Sequence, residues 1–428
     1  MAHFPKPQEG SWTEHYPGLG TKPVSYYDSI SQEFYDKEQQ AIFLRTWLNI
    51  GRVEDLPRTG SYFTRELEWA KKSILVTKDG SGTVRAFHNI CRHRGNKLVW
   101  DDYPDRETKG TCRQFTCKYH AWQFALDGDL TYVQQESEFF DLDKDALGLV
   151  PVACEVWEGF IFINLAKEPE QTLTEFLGDM GTALAGYPFG EMTQTWTIRA
   201  NIGSNWKLFV DAFIEFYHAP VLHVRQAAPG EAEKLFNYGF EALHYELMSP
   251  HSMLSSWGGM SPPKDPGMVK PIENAVRSGL FGPWEASGVV KELPAGVNPS
   301  KHKAWGVDTF TIFPNFMILI WERQWYLTYH YWPDGPSNHF FESSLYFVPP
   351  KNARERIQQE LAVASMKEYA LQDANTLGAT QSMLESGVVD TFVLCDQEMA
   401  IRAHHAVVRE HVEAWEEGRP VSYPWTRK

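Results

Sequence analysis

The chain has 428 residues with a formal net charge of −15, and 43% of its residues are hydrophobic. A single hydrophobic core rarely extends beyond about 250–300 residues, so this length predicts a globular protein with two domains. The negative charge argues against nucleic acid or an anionic membrane as a partner, because both bind basic patches. No apolar run approaches the roughly 20 residues of a membrane span, and the first residues lack a signal-peptide pattern, which predicts a cytoplasmic protein.

Three regions follow one another along the chain. Residues 1–40 are rich in Pro, Gly and Tyr and are expected to form a docking arm. Residues 41–165 alternate short apolar stretches with turn signals, which is typical of a small antiparallel β domain. Residues 166–428 mix helical segments with long aromatic strands, which predicts an α+β domain with a curved antiparallel sheet wrapped on a helix. Within it, the Gly-, Pro- and Ser-rich residues 225–305 are expected to form an insertion or lid.

Two short loops of the β domain each offer one thiol and one imidazole: Cys91 with His93, and Cys117 with His120. Two Cys on one iron and two His on the other form the ligand set of a Rieske [2Fe–2S] cluster. A structural zinc ion also accepts two Cys and two His and is the main alternative. Zinc usually supports domains that lack a core of their own, so the ample core of this chain favours the cluster.

The motifs CRHRG and CKYHAW around these ligands resemble the two Rieske loops of the large, or alpha, subunits of ring-hydroxylating oxygenases. The departures are Lys118 and Ala121, where the family often carries Pro and Gly. The loops lack the extra cysteines of respiratory Rieske proteins. The resemblance implies an N-terminal antiparallel β Rieske domain and a C-terminal helix-grip catalytic domain, with one [2Fe–2S] cluster and one mononuclear Fe(II) in each subunit.

A second group of candidate ligands lies in the segment DAFIEFYHAPVLH. On a continuous helix, Asp211, Glu215 and His218 would share one face. His223 would point away from that face unless Pro220 interrupts the helix and redirects the next turn. Two converging His and one carboxylate form the facial triad of Fe(II) sites that activate dioxygen. The spacing therefore predicts a mononuclear iron site that includes His218 and His223.

The resemblance implies that the third iron ligand is a carboxylate far downstream. Asp396 is the best local match, with Asp390 and Glu398 as alternatives. The neighbouring His404 and His405 lie on a polar helix and are predicted to be solvated surface. These residues are therefore assigned no role in the site.

The resemblance also implies an electron path. In the family, the carboxylate three residues before the first iron ligand joins it to a Rieske His of a neighbouring subunit. Here Glu215 would join His218 to His120 of another copy, which requires a homotrimer or an α3β3 assembly. Most ring dioxygenases have Asp at this position, whereas Glu occurs in other branches, including quaternary-amine oxygenases. Asp211 is a second candidate catalytic carboxylate.

The function implied is that of a Rieske mono- or dioxygenase. Electrons would come from NAD(P)H through a separate reductase, with or without a ferredoxin. Apolar residues on the iron helix favour O2-dependent hydroxylation or dihydroxylation of a hydrophobic aromatic, polycyclic or steroid-like substrate, as in aromatic hydrocarbon catabolism. One alternative is a monooxygenase or dealkylase acting on a quaternary amine such as choline, carnitine or betaine. The other is a non-catalytic Rieske electron carrier.

Overall fold

A computed structural model describes residues 11–101, 106–223, 242–257, 270–279, 282–303, 305–322 and 325–425. The chain divides into two compact units, one formed by residues 43–176 and the other by residues 1–42 together with 177–428. The predicted arm therefore belongs to the second unit, although its first ten residues lie outside the described part. None of the described helices is both long and apolar enough to cross a membrane.

The unit of residues 43–176 is built on a seven-stranded antiparallel sheet. Its strands, in spatial order, are Trp47–Arg52, Phe160–Asn164, Pro151–Trp157, Val84–His88, Lys72–Lys78, Ser61–Leu67 and Lys109–Thr111. A smaller sheet joins Phe115–Thr116, Gln123–Phe124 and Leu130–Tyr132. One cysteine loop follows the strand that ends at His88, and the other connects the first two strands of the smaller sheet. The buried side chains of both loops pack into one core with Leu75, Phe87 and Phe124.

The second unit contains the predicted antiparallel sheet, also with seven strands. In spatial order they are Gln194–Ile202, His339–Phe347, Trp325–Pro333, Phe316–Trp321, Trp305–Ile312, His251–Trp257 and Ala242–Met248. The last two strands lie inside the stretch predicted to be an insertion or lid, so that prediction is wrong for residues 242–257. Residues 225–241, 258–269, 280–281 and 304 of the same stretch lie outside the described part.

Seven α-helices are present among the described residues. They are α1 (Gln32–Glu38), α2 (Leu173–Leu184), α3 (Trp206–Asp211), α4 (Ala219–Leu222), α5 (Pro271–Val276), α6 (Ala353–Leu384) and α7 (Met399–Glu417). Asn205 begins α3 because its side chain accepts a hydrogen bond from the Lys207 backbone N–H, as N-cap residues do. The long helix α6 packs on α3 and on the first strand of the second sheet. This packing brings residues far apart in the sequence to one end of α3.

The segment after α3 does not continue as the helix that the sequence predicted. The helix ends at Asp211, where Phe213 N–H bonds to the carbonyl oxygen of Val210 and Ile214 N–H to that of Asp211. These i to i+3 bonds tighten the last turn and stop the α-helical ladder. Glu215 and His218 therefore lie in the irregular segment between α3 and α4, and do not share a helical face with Asp211.

Candidate active site

The two cysteine loops close into tight turns that hold their side chains together. Cys91 N–H donates to the Asn96 carbonyl oxygen at 2.8 Å, and Cys117 N–H donates to that of Trp122 at 2.9 Å. Ala121 has a φ of 58°, which explains why the resembling family often carries Gly at this position. Both thiols are only 2% exposed.

The four candidate cluster ligands form two adjoining pairs. The Cys91 and Cys117 thiols lie in one buried cluster, and the Cys117 thiol contributes to raising the pKa of Cys91. The ring centroids of His93 and His120 are 4.6 Å apart. Burial raises the pKa of the Cys91 thiol to about 11, and the backbone N–H groups of His93 and Arg94 act in the opposite direction. Hydrogen bonds from backbone N–H groups stabilise thiolate ligands and tune the potential of a cluster.

The arrangement fits a binuclear cluster better than zinc. A tetrahedral zinc ion would hold four donor atoms within about 4 Å of one another. Among the described residues, only two groups place three such donor atoms within 4.8 Å of one another, and neither contains these loop residues. His93 Nδ1 is buried with no hydrogen-bond partner, as expected for an electron-pair donor to a metal. Trp122 covers His93 at 4.9 Å, and Tyr119 lies 3.8 Å from the His120 ring centroid.

A second convergence of donor atoms lies in the other unit. His218 Nε2 and His223 Nε2 are 3.2 Å apart. Asp373, which comes from α6, places its Oδ1 at 3.7 Å from the first nitrogen and at 3.5 Å from the second. The Asp373 side chain is 1% exposed. Two imidazoles and one carboxylate are the ligand set of a facial-triad iron site.

The hydrogen-bond partners of these side chains show why the group is suited to a cation. Glu215 Oε1 accepts from His218 Nδ1, and Gln372 Oε1 lies 2.8 Å from His223 Nδ1. With the oxygens of Glu215 and Gln372 facing them, both Nδ1 atoms can carry the ring protons, and both Nε2 atoms then present lone pairs to each other. Neither Asp373 oxygen has a hydrogen-bond partner. In that arrangement three electron-pair donors converge, and a metal ion would satisfy all three.

Burial shapes the electrostatics of this group. It raises the pKa of Asp373 to about 7 and lowers the pKa of His223 to about 4. Burial would also lower the pKa of His218, but the Glu215 carboxylate outweighs it and raises that pKa. A buried carboxylate without a donor is unfavourable, and a divalent cation would offset that cost.

Both sites lie in segments that match protein families. Residues 189–414 match the family "Ring hydroxylating alpha subunit (catalytic domain)", and residues 46–151 match the "Rieske [2Fe-2S] domain". The chain belongs to the ring-hydroxylating alpha-subunit family. The predicted resemblance, the α+β fold with its Rieske and catalytic domains, and the two cofactors, a [2Fe–2S] cluster and a mononuclear iron, are thereby confirmed.

Relatives of this alpha subunit cover part of its length. It is 34% identical over 202 residues to the glycine betaine monooxygenase oxygenase subunit of Chromohalobacter salexigens. The aligned residues are 46% of this chain and 43% of that subunit. It is 33% identical over 209 residues to the choline monooxygenase of Spinacia oleracea, and these residues are 47% of this chain and 45% of that enzyme. The chain thus spans about half the length of the curated relatives that it matches.

Solved structures show the same fold over most of the chain. Naphthalene 1,2-dioxygenase from Rhodococcus sp. has a TM-score of 0.71 at 19% identity, covering 94% of this chain and 98% of that one. The quaternary ammonium monooxygenase CntA with bound L-carnitine has a TM-score of 0.67 at 18% identity, covering 90% and 94%. At these identities the likeness shows the fold alone.

The structure contradicts the choice of Asp396 as the third ligand of the alpha subunit. Its carboxylate accepts hydrogen bonds from the Ser11 and Thr13 hydroxyls and from the Thr13 backbone N–H at 2.9 Å. It therefore ties the N-terminal arm to the residues before α7 and does not join the histidines. Among the alternatives, Asp390 is exposed and Glu398 accepts from the Cys395 backbone N–H. Sequence reasoning missed Asp373, because a single carboxylate on a polar helix has no local pattern that marks it as a ligand.

The prediction that His404 and His405 are solvated surface is wrong, and both residues contact Asp211. His404 and His405 are buried, not solvated, and both bond to Asp211, at 3.0 Å and 2.9 Å. Asp211 is thus bonded to α7, and its carboxylate belongs to a different group from His218, His223 and Asp373. The missed signal was periodicity, because Ile401, His405, Val408 and Val412 are buried and recur at helical spacing.

Asp211 and its neighbours differ from the iron site, because here each close contact joins a ring nitrogen, which can donate a proton, to a carboxylate oxygen, which can accept it. His405 Nδ1 lies 2.8 Å from Asp28 Oδ2, and its Nε2 faces Asp211. Burial alone would lower the pKa of His405, but Asp28 and Asp211 outweigh it and raise that pKa to about 9. His405 is therefore an imidazolium held between two carboxylates. We refer to Asp28, Asp211, His404 and His405 as the buried ion network.

Aromatic rings line the sheet face beside the iron ligands. Phe213 lies 4.8 Å from Tyr329, and Phe341 lies 5.0 Å from Tyr329 and 5.5 Å from Tyr331. Burial raises the pKa of both tyrosines, and the Asp373 carboxylate adds to it. Both phenols therefore lie within electrostatic range of the Asp373 carboxylate. We call Phe213, Tyr329, Tyr331 and Phe341 the aromatic wall.

Proposed function

We propose that this chain is the oxygenase component of a Rieske monooxygenase acting on a quaternary ammonium compound. Its mononuclear iron would be held by His218, His223 and Asp373. The carrying observation is the convergence of two imidazole nitrogens and a buried carboxylate that has no hydrogen-bond partner. The [2Fe–2S] cluster would be held by the two cysteine loops, with Cys91 and Cys117 on one iron and His93 and His120 on the other.

When bound, the iron supplies the dioxygen chemistry and the cluster supplies electrons. The net reaction places one oxygen atom of O2 in a C–H bond of the substrate and releases the other as water. It consumes two electrons and two protons. We propose that a separate NAD(P)H-dependent reductase delivers the electrons.

Within this reaction Glu215 holds the proton of His218 at Nδ1 and fixes the ring so that Nε2 faces Asp373. A carboxylate has lone pairs for more than one donor. Glu215 can therefore also accept a hydrogen bond from His120 of a neighbouring copy. That bond would connect the cluster of one copy to the iron of the next in a homotrimer or an α3β3 assembly.

The relatives favour the quaternary amine over the hydrophobic substrate that the sequence first favoured. The curated relatives above are named for glycine betaine and choline, and another, 28% identical, for carnitine. Glu215, where most ring dioxygenases have Asp, points the same way. The aromatic wall supports this proposal, because aromatic faces attract a trimethylammonium cation by about 0.5–2 kcal/mol each.

The metal assignment is tested first. Purified protein should contain about three irons and two acid-labile sulfides per chain, and after reduction it should show the rhombic EPR signal of a mixed His/Cys cluster. One zinc without sulfide would refute the proposal.

The substrate assignment is tested by a single turnover of the reduced protein with O2. Choline, glycine betaine or carnitine should trigger oxidation of the cluster, and Asp373→Asn should abolish it. Oxidation triggered by naphthalene and by none of the amines would instead support the hydrophobic substrate.

A further inference from the structure

The two histidines of the candidate iron site are oriented by different chemical groups. Glu215, a carboxylate, accepts from His218 Nδ1, whereas Gln372, an amide, lies 2.8 Å from His223 Nδ1. Gln372 directly precedes Asp373 on α6. One turn earlier on the same helix, Tyr369 lies edge-on to the His223 ring, with centroids 4.7 Å apart. α6 therefore supplies both a candidate ligand and the groups that orient another one.

The amide differs from the carboxylate in one respect that matters here. A carboxylate can only accept, so Glu215 allows a single tautomer of neutral His218, with the proton on Nδ1. An amide can accept through its oxygen or donate through its nitrogen, and a half-turn exchanges the two. Gln372 can therefore satisfy either tautomer of His223.

The two tautomers have opposite consequences for the metal. With the Gln372 oxygen toward Nδ1, His223 Nε2 is a lone pair and can bind a cation. With the amide nitrogen toward Nδ1, the proton moves to Nε2. At 3.2 Å from His218 Nε2, that proton would make a hydrogen bond between the two histidines and block the site.

We propose that Gln372 is a positioning residue whose amide orientation selects the His223 tautomer and thereby sets the affinity of the site for its metal. This inference rests on the proposed iron site. In the metal-free protein the tautomer joined by the His–His hydrogen bond competes with the tautomer that binds. In molecules that hold the competing tautomer, metal uptake requires the Gln372 amide to turn so that its oxygen faces Nδ1. Groups that orient a metal-bound His typically change metal affinity by about 10- to 100-fold.

Two substitutions separate the roles of the amide. Gln372→Met keeps the length of the side chain but removes both acceptor and donor, and should weaken metal binding by about 10- to 100-fold. Gln372→Glu keeps the acceptor and removes the donor, so it allows only the tautomer that binds. Its affinity should equal or exceed that of the wild type. Asn375→Leu, at an exposed position on the same helix, is the matched control and should leave binding unchanged.

The experiment is a Co(II) titration of the full-length protein with its cluster intact and its mononuclear site emptied, followed by the absorption of bound Co(II). Thermal melting and the cluster absorption identify any variant that fails to fold. As a second readout, NMR of protein with 15N-labelled histidine reports the tautomer of His223 without metal. The wild type should show the proton shared between Nδ1 and Nε2, and Gln372→Glu should show it on Nδ1 alone.

The outcomes separate this inference from the proposed function. If Asp373→Asn binds Co(II) as tightly as the wild type, the iron-site assignment itself fails. If Asp373→Asn loses binding but Gln372→Met stays within about twofold of the wild type, well below the expected effect, only the role of Gln372 is overturned. An identical His223 tautomer in the metal-free wild type and Gln372→Glu would also overturn it.

Discussion

The buried ion network makes stability depend on pH in a direction that can be measured. The pKa of His405 is about 9 in the folded protein, against an ordinary value of 6.5. At about 1.4 kcal/mol per pKa unit, this difference corresponds to about 3 kcal/mol of stability. The low pKa of Asp28, about 2, describes the same ion pair from its other end and is not added.

The sign follows from which state binds the proton more tightly. Below about pH 6.5 His405 is protonated in both the folded and the unfolded chain, so the full contribution is present. As the pH rises toward 9, the unfolded chain loses this proton first and the contribution disappears. The wild type should therefore lose about 3 kcal/mol from this source between pH 6.5 and pH 9.

The perturbation is His405→Gln, which keeps hydrogen-bonding capacity between Asp28 and Asp211 but removes the charge. We expect a lower melting temperature at pH 6.5 and a much smaller decrease between pH 6.5 and pH 9 than in the wild type. The assay is thermal melting followed by circular dichroism across this range, with His302→Gln at an exposed position as the control. Equal pH dependence in His405→Gln and the wild type would refute the reasoning.

Three further predictions concern the catalytic unit. Asp373→Asn should lose the mononuclear iron and keep the cluster, whereas Asp396→Asn should keep both. Asp396→Asn should lower the free energy of unfolding by about 1–3 kcal/mol, because hydrogen bonds to the arm are lost. Iron and sulfide analysis and thermal melting check this, and loss of the mononuclear iron from Asp396→Asn alone would reverse the assignment. Glu215→Gln with its mononuclear site filled should oxidise its cluster about 10- to 100-fold more slowly in a single turnover, and an unchanged rate would exclude the bridge. Tyr329→Leu should weaken binding of a quaternary amine by about 1–2 kcal/mol, with little effect on a neutral tert-butyl analogue in the same calorimetric titration; equal losses for both ligands would show that Tyr329 contributes shape and not charge recognition.

The parts of the sites that could be read from the sequence lie close together in the chain. Cys91 with His93, and His218 with His223, are separated by so few residues that their side chains can converge whatever surrounds them. The spacing and the residue types were enough to predict the chemistry and the family. The alternation of short strands and turns likewise predicted the antiparallel sheets, because that pattern follows from local backbone preferences.

What the sequence by itself determined is therefore the family, the fold class and the two pairs of motifs. Only the tertiary structure decided that Asp373 joins the histidines while Asp396 holds the arm, and that Asp211 bonds to His404 and His405. The physical reason is that a carboxylate on a polar helix has the same local pattern whether it faces water or a metal. Its role depends on which helix packs against it, and that packing is set by contacts between residues more than 150 positions apart.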